Sequence, residues 1–388
     1  MNQYLIRSNL KSNFTKTLNF ENLLIFLFIF FLIITNNYFG EFNINSSATS
    51  SHYYLQIANS FPDVVDVVEF NDDSQSYIHA ERFLISYLIG FFSNLLNIKV
   101  FYIFCLFSYS LIALLFLINF KILNSLLVNC NDKIIFYALI IFNPYIYRYH
   151  LSNPAMLNDL IFYLGISVLF LSFITKKNSL FYLSMIFIII SRQTSLIVII
   201  ALLIHLLVPF KKDFIEYKKV TFSLLIFLVN YLIAQYYLNS ANIGVFYDST
   251  IFGLIQYIKT DVNHLVLIKF FLYPLLTFGP ILILIVVLIF KKNLNYKYDE
   301  KNIFFIILIL GIFAQPIIAG PLIAGKNIIR LSSFAYFISI FLICLNLDNL
   351  KTFSKKLKIV FISLIVLWSM HPTFSKINIF EPYTLFLD

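Results

Sequence analysis

Long apolar runs constrain this chain more than any motif within it. Stretches near the ~20 residues that cross a bilayer as a helix occur at about 22–39, 100–119, 134–148, 157–174, 178–191, 195–208, 220–238, 264–290, 303–325, 328–347 and 359–370. Hydrocarbon offers no partner to an exposed N–H or C=O, so such runs must satisfy their own backbone and fold as helices. Composition agrees: 60% of the residues are hydrophobic and 12% charged, where soluble domains hold roughly 45–50% and about 25%. The chain reads as an all-α polytopic membrane protein, a single transmembrane domain over 1–388, with the lipid bilayer as its first partner.

Charge sets the orientation. The net charge of +9 sits in short loops between apolar runs, so no nucleic-acid partner is needed to explain it. One further apolar stretch, 83–97, decides the map. If it spans, the clusters at 176–177, 211–219, 291–301 and 351–358 fall outside, against the positive-inside rule. If it lies along the outer surface, 19 of the 28 Lys and Arg fall inside. The second map predicts about eleven spans, an inner (plasma) membrane location, a cytoplasmic N-terminus and an extracytoplasmic C-terminus. The first run follows Arg7, Lys11 and Lys16 and shows no small-residue cleavage pattern, so it reads as an uncleaved span. The three cysteines form no disulfide framework.

The first extracytoplasmic loop, 40–99, is far longer than the usual connection of about 4–6 residues. It holds Glu41, Asp63, Asp66, Glu69, Asp72, Asp73 and Glu81. Two surface helices are expected in it. In 51–58, Tyr54, Ile57 and Ala58 share one face with Phe61 before Pro62, and the stretch from Ile78 turns from polar to apolar as an interfacial helix does. Acidic residues gather freely in a solvated loop. The functional reading makes one carboxylate a general base for an acceptor hydroxyl, or a ligand for a divalent cation such as Mg or Mn. Asp72, Asp73 and Glu41, just after the first span, are the best placed.

The chain has 23 Lys and only 5 Arg, 28 together. Such a bias resembles AT-rich coding, which replaces Arg wherever Lys suffices. Four arginines nonetheless fall at or near the outer face: Arg82, Arg148, Arg192 and Arg330. Arg grips phosphate with a planar fork that Lys lacks. Arg192 lies in the turn Ser191–Ser195 between two runs of roughly fourteen residues, about 21 Å each against a ~30 Å core, so the turn should be recessed. A recessed Arg there is an anion seat, or else an ion pair with Asp159 or a loop acid. Asp159 itself opens an apolar run, where an unpaired carboxylate is costly. Arg148, in a Tyr-rich stretch ending at His150, is either part of the site or an interfacial anchor. Further on, Pro316, Gly320, Pro321 and Gly325 should break the helix and present Lys326 and Arg330 on one side. Weaker candidates are Tyr247, Asp248, His264 and Lys269.

With these residues in view, the chain resembles the GT-C superfamily of membrane glycosyltransferases, of the polyprenyl-phosphate-sugar-dependent type. The resemblance covers about 20–350 and rests on the long first loop with two surface helices, His52-Tyr-Tyr-Leu-Gln-Ile-Ala58, Arg82-Phe83, the pairs Asn143-Pro144, Asn153-Pro154 and Asn158-Asp159, and the turn Ser191-Arg192-Gln193-Thr194. Members often carry an aspartate where Ser51 or His52 stands, or at the end of the first span, where this chain has Glu41. The resemblance implies a polyprenyl-phosphate-linked sugar as donor and a glycan, lipid or protein of the cell envelope as acceptor, with inversion. Glu41, Asp72 or Asp73 would be catalytic, Arg192, Arg330, Lys326 and Arg148 would hold phosphate, and Arg82, His52, Asp159 and Gln193 would support them. A polysaccharide polymerase of the O-antigen type and a non-catalytic lipid-linked sugar transporter are the alternatives.

Overall fold

The computed structural model describes residues 51–65, 78–127, 133–207, 214–243, 271–272, 275, 277–290, 299–324, 328–347 and 354–370. These are almost wholly helical. Helices α1 (Ser51–Asn59) and α2 (Phe83–Leu96) precede α3 (Val100–Leu126) and α4 (Lys133–Ile141). A π-helical turn (Pro144–Arg148) leads through α5 (Tyr149–Ser152) to α6 (Leu157–Thr175), α7 (Asn178–Ser191), α8 (Ser195–Leu207) and α9 (Tyr217–Ser240). Then come α10 (Gly279–Phe290), α11 (Glu300–Ala324), α12 (Ile328–Ser333), α13 (Tyr336–Leu345) and α14 (Lys355–Met370).

Five stretches are long and apolar enough to cross a membrane: α3, α6, α9, residues Glu300–Ala319 of α11, and Ile328–Leu345, which joins α12 and α13. This is the make-up of a helical, multi-pass membrane protein. The helix α6 is apolar on all sides because it is surrounded, with Leu160, Phe162, Tyr163, Ile166, Leu169, Phe170 and Phe173 all buried. By contrast α9 leaves Leu224, Leu225, Leu228 and Leu232 exposed, the surface that lipid covers. Gly165 lets α7 approach α6 closely. A Cβ at that position would lie 2.7 Å from Ile188 Cγ1 and 3.1 Å from its backbone nitrogen.

The chain from α4 onward runs back along α3. Tyr137 hydroxyl donates to Asn124, Asn119 to Tyr147 hydroxyl at 3.3 Å, and Ser108 to the His150 carbonyl at 3.3 Å. His150 therefore stands level with Ser108, about 12 Å along the helix from Val100. The Asn158 amide in turn donates to the Arg82 carbonyl at 3.4 Å. Helix α2 thus starts near residue 158 and ends beside Val100, both toward one end of α3. Its 14 residues reach about 21 Å, short of a ~30 Å hydrocarbon core.

One expectation is corrected here. Pro316 and Pro321 do not break their helix, since α11 continues from Glu300 to Ala324. A proline forfeits one backbone hydrogen bond, whereas unwinding at that depth would expose several polar groups, so the helix is the lower-energy choice.

Candidate functional site: a buried arginine–carboxylate cluster

Asp159 lies in the first turn of α6, where the unpaired N–H groups of the helix favour a carboxylate. It is fully buried, and three side chains from other parts of the chain face it. Arg192 sets Nη1 directly against Oδ1, Arg330 Nε lies 3.5 Å from Oδ2, and His150 Nε2 lies 4.0 Å from Oδ2. All four groups are buried.

Local chemistry positions each one. Asn143 caps the π-helical turn, its side-chain oxygen accepting from the N–H of Tyr145 at 2.8 Å and of Ile146 at 3.1 Å, with Pro144 in the first position. The turn carries Tyr147, Tyr149 and His150 into the interior. His150 donates from Nδ1 to the Ile146 carbonyl at 2.6 Å, which leaves Nε2 an acceptor. Arg192 leaves the end of α7 in extended backbone, and the N–H groups of Ser195, Leu196 and Ile197 then bond to the carbonyls of Arg192, Gln193 and Thr194 at 3.0 Å. Ser191, Arg192, Thr194 and Ser195 are all buried, so this polar turn is sunk within the protein. The Arg192 guanidinium also lies over the Phe334 ring, 4.7 Å from its centre. Arg330, on α12, donates to the Tyr149 hydroxyl at 3.2 Å and to Met156 Sδ at 4.0 Å. Ser333 ties that short helix down, sharing a hydroxyl–hydroxyl hydrogen bond with Tyr163 and donating to the Arg330 carbonyl at 2.6 Å.

The segment 78–82 covers the sunken turn. Gln193 accepts from Arg82 Nε and donates to the Glu81 carboxylate at 2.5 Å and to the Ile78 carbonyl at 3.2 Å. His79 stacks on Tyr53 at 4.9 Å, meets Tyr54 edge-on at 5.1 Å, and holds the Tyr54 hydroxyl at 3.1 Å from Nδ1. Burial first, then the charges of Arg82, Arg330 and Arg192, hold the His79 imidazole well below its ordinary pKa, with Asp159 opposing. The ring is neutral at physiological pH.

Two guanidiniums therefore share one carboxylate, and Arg82 and Glu81 are joined through Gln193. One positive charge is in excess among the described residues. Hydrogen bonding is incomplete too: Arg192 Nε, Arg330 Nε, Asp159 Oδ2, His150 Nε2 and Asn158 Oδ1 are buried with no hydrogen-bond partner among the described residues. Unsatisfied buried donors are costly. The two arginine Nε atoms are the spare donors among these, and with the surplus positive charge they suit an anion, while the three acceptors call for a donor such as a hydroxyl.

Arg192, Arg330, Asp159, Arg82 and Gln193 are thus brought together from four separate stretches. The ion pair of Arg192 with Asp159, open as an alternative in the sequence, is formed. His52 is exposed on α1, its ring 6.0 Å from that of Tyr53, so on this helix Tyr54 rather than His52 faces the cluster. Arg148 closes the π-helical turn, with its side chain outside what is described. Glu41, Asp72, Asp73 and Lys326 lie outside the described residues, as do Tyr247, Asp248, His264 and Lys269. Among the described residues no group of three or more His, Cys, Asp and Glu could hold a metal. Sequence reasoning did not single out His79 or Tyr149. His79 stands three residues before Arg82, whose N–H bonds to the His79 carbonyl at 3.1 Å, but a histidine in a polar segment carries no signal in the sequence. Tyr149 looks like any tyrosine of an aromatic belt. Comparison with protein families, with curated proteins and with solved structures finds no match for this chain.

Proposed function

We propose that this chain is a membrane glycosyltransferase of the GT-C type, moving a sugar from a polyprenyl-phosphate donor to an envelope glycan, lipid or protein on the extracytoplasmic face. The observation that carries this reading is the surplus positive charge of Arg192 and Arg330 around Asp159, beneath the 78–82 segment. A phosphodiester entering from the bilayer would supply the missing anion. In the transfer, the acceptor oxygen bonds to the anomeric carbon as the bond from that carbon to the phosphate oxygen breaks, and the configuration inverts. The acceptor proton passes to a carboxylate of the first loop, for which Glu41, Asp72 and Asp73 are the candidates. Charge develops on the departing phosphate, and the guanidinium charge that Asp159 leaves unbalanced stabilises it there more than in the bound donor.

The topology that fits has about eleven spans, the N-terminus in the cytoplasm and α2 lying at the outer surface. The contact between Asn158 and Arg82 supports a non-spanning α2, because it keeps both ends of that helix toward one end of α3. A transporter would want cations along a path through the membrane, whereas the buried arginines here gather at one level. A polymerase would share the arginines, but would be expected to keep its large outer loop late in the chain.

The test is sugar transfer from a panel of polyprenyl-phosphate hexoses and pentoses by the purified protein in lipid nanodiscs. The double variant Arg192→Lys, Arg330→Lys keeps the charge and removes both forks. Transfer should fall by about 100-fold or more, the usual cost of losing such donors. Transfer at the wild-type rate would remove the reading.

A further inference from the structure

On the reading just given, we infer that the two arginines have separate roles, with Arg330 taking the phosphate oxygens and Arg192 acting as a positioning residue that stays on Asp159. The two guanidiniums are held very differently. Arg192 is in direct contact with the Asp159 carboxylate, and its face is covered by Phe334 at 4.7 Å. It could turn to a ligand only by leaving a fully buried carboxylate without its closest partner, the costliest exchange available in a low-dielectric interior.

Arg330 is bound only loosely. Its closest charged neighbour is Asp159 Oδ2 at 3.5 Å, and no hydrogen bond joins them. Its hydrogen-bond acceptors are a phenol at 3.2 Å and a thioether at 4.0 Å, the second a weak one. Both are neutral, and Nε has no acceptor among the described residues. A phosphate oxygen would replace neutral acceptors with a charged one, and charge-assisted bonds are roughly twice as strong. Arg192 also stands under the cover formed by Gln193 and segment 78–82. Asp159 in this arrangement neutralises Arg192 and leaves the charge of Arg330 for the ligand.

Farnesyl phosphate, a short polyprenyl monophosphate, is the probe, titrated against the full chain in nanodiscs at several salt concentrations, with inorganic phosphate as competitor. Wild type should bind it with an affinity that falls as salt rises. Arg330→Lys should weaken binding about tenfold or more at unchanged thermal stability, since the fork is lost and the charge kept. Arg192→Lys should lower the unfolding temperature and leave the dissociation constant within about threefold. The neutral pair Arg192→Gln, Asp159→Asn removes both charges together and should likewise keep binding; it serves if Arg192→Lys does not fold. Loss of binding in either Arg192 variant as large as that in Arg330→Lys would overturn the division of roles, and so would unchanged binding in Arg330→Lys. The phosphate reading itself fails on a different result, a wild type with no salt-dependent binding of the probe. Displacement by inorganic phosphate at similar concentrations would show that the headgroup, rather than the isoprenoid, is recognised.

Discussion

Asp159 is the side chain on which most of the buried charge depends. Two guanidiniums face it from separate elements, so its removal leaves both without a counter-charge among the described residues. Asp159→Asn should cost about 3–5 kcal/mol of stability, the typical penalty for breaking a buried pair from one side. Reversible unfolding in mixed micelles measures it. The double variant Asp159→Asn, Arg192→Gln should lose less than the sum of the two single changes, because each single change strands a charge that the double does not. Strict additivity would mean that the pair contributes no coupling. His79 yields a second expectation. Its pKa is depressed by burial and by three arginines, so the native ring stays neutral while the ring in the unfolded chain takes up a proton below about pH 6.5. Stability is then fully present above that value and lost as pH falls from it toward the native pKa. Unfolding temperatures at about pH 7.5 and 5.5 should differ more in wild type than in His79→Gln, and identical differences would dismiss the assignment. Asp159 was legible in the sequence because a carboxylate at the head of an apolar run demands a partner. His79 was not, because a histidine in a polar segment demands nothing until the fold buries it.

At the level of elements, close backbone approaches fix the geometry around the cluster. A Cβ on Gly90 would collide with the Ala58 carbonyl oxygen and lie 2.6 Å from Phe61 Cβ. Neither obstacle is the free end of a flexible side chain, so Gly90→Ala should force α2 away from α1 and cost about 1–3 kcal/mol. Hydrogen exchange over residues 51–61 should rise as the two helices separate. Gly279→Ala is the control: nothing lies within 4 Å of the added methyl, so stability should change by no more than about 0.5 kcal/mol. The apolar pattern anticipated most helices to within a few residues, including the short α7 and α8 with their polar turn. It missed the continuity of α11 through Pro316 and Pro321. Local rules read a proline as an end, and only the surroundings of a helix decide whether the lost hydrogen bond is tolerable.

For the molecule as a whole, the arrangement of α2 makes a topology prediction. In a variant lacking Cys105, Cys130 and Cys344, single cysteines at Asn97 and Asn153 should react with a membrane-impermeant maleimide from one side, and one at Lys177 from the other. Labelling of a further single cysteine, at the exposed Asp63 before α2, from the side opposite to Asn97 would turn α2 into a span and invert every loop after it. The contacts of Ser108 with His150 and of Asn158 with Arg82 argue for the first outcome, as the positive-inside rule does.

Sequence alone determined the helical, membrane-embedded character of the chain and the positions of its apolar segments, because hydrocarbon admits few backbone solutions and each leaves a long, readable run. It also marked Arg192 and Asp159 as residues needing an explanation, since burying an ionised group is costly wherever it occurs. Tertiary structure decided which charges meet. Arg82, Asp159, Arg192 and Arg330 are far apart in the chain, and nothing local to any of them specifies the others. The packing of α6 against α3 and α7, the sunken turn after α7 and the short helix α12 bring them together. That convergence settled the pairing of Arg192 with Asp159 and left Arg330 the more loosely held of the two, a distinction of contact geometry that no pattern of residue types encodes.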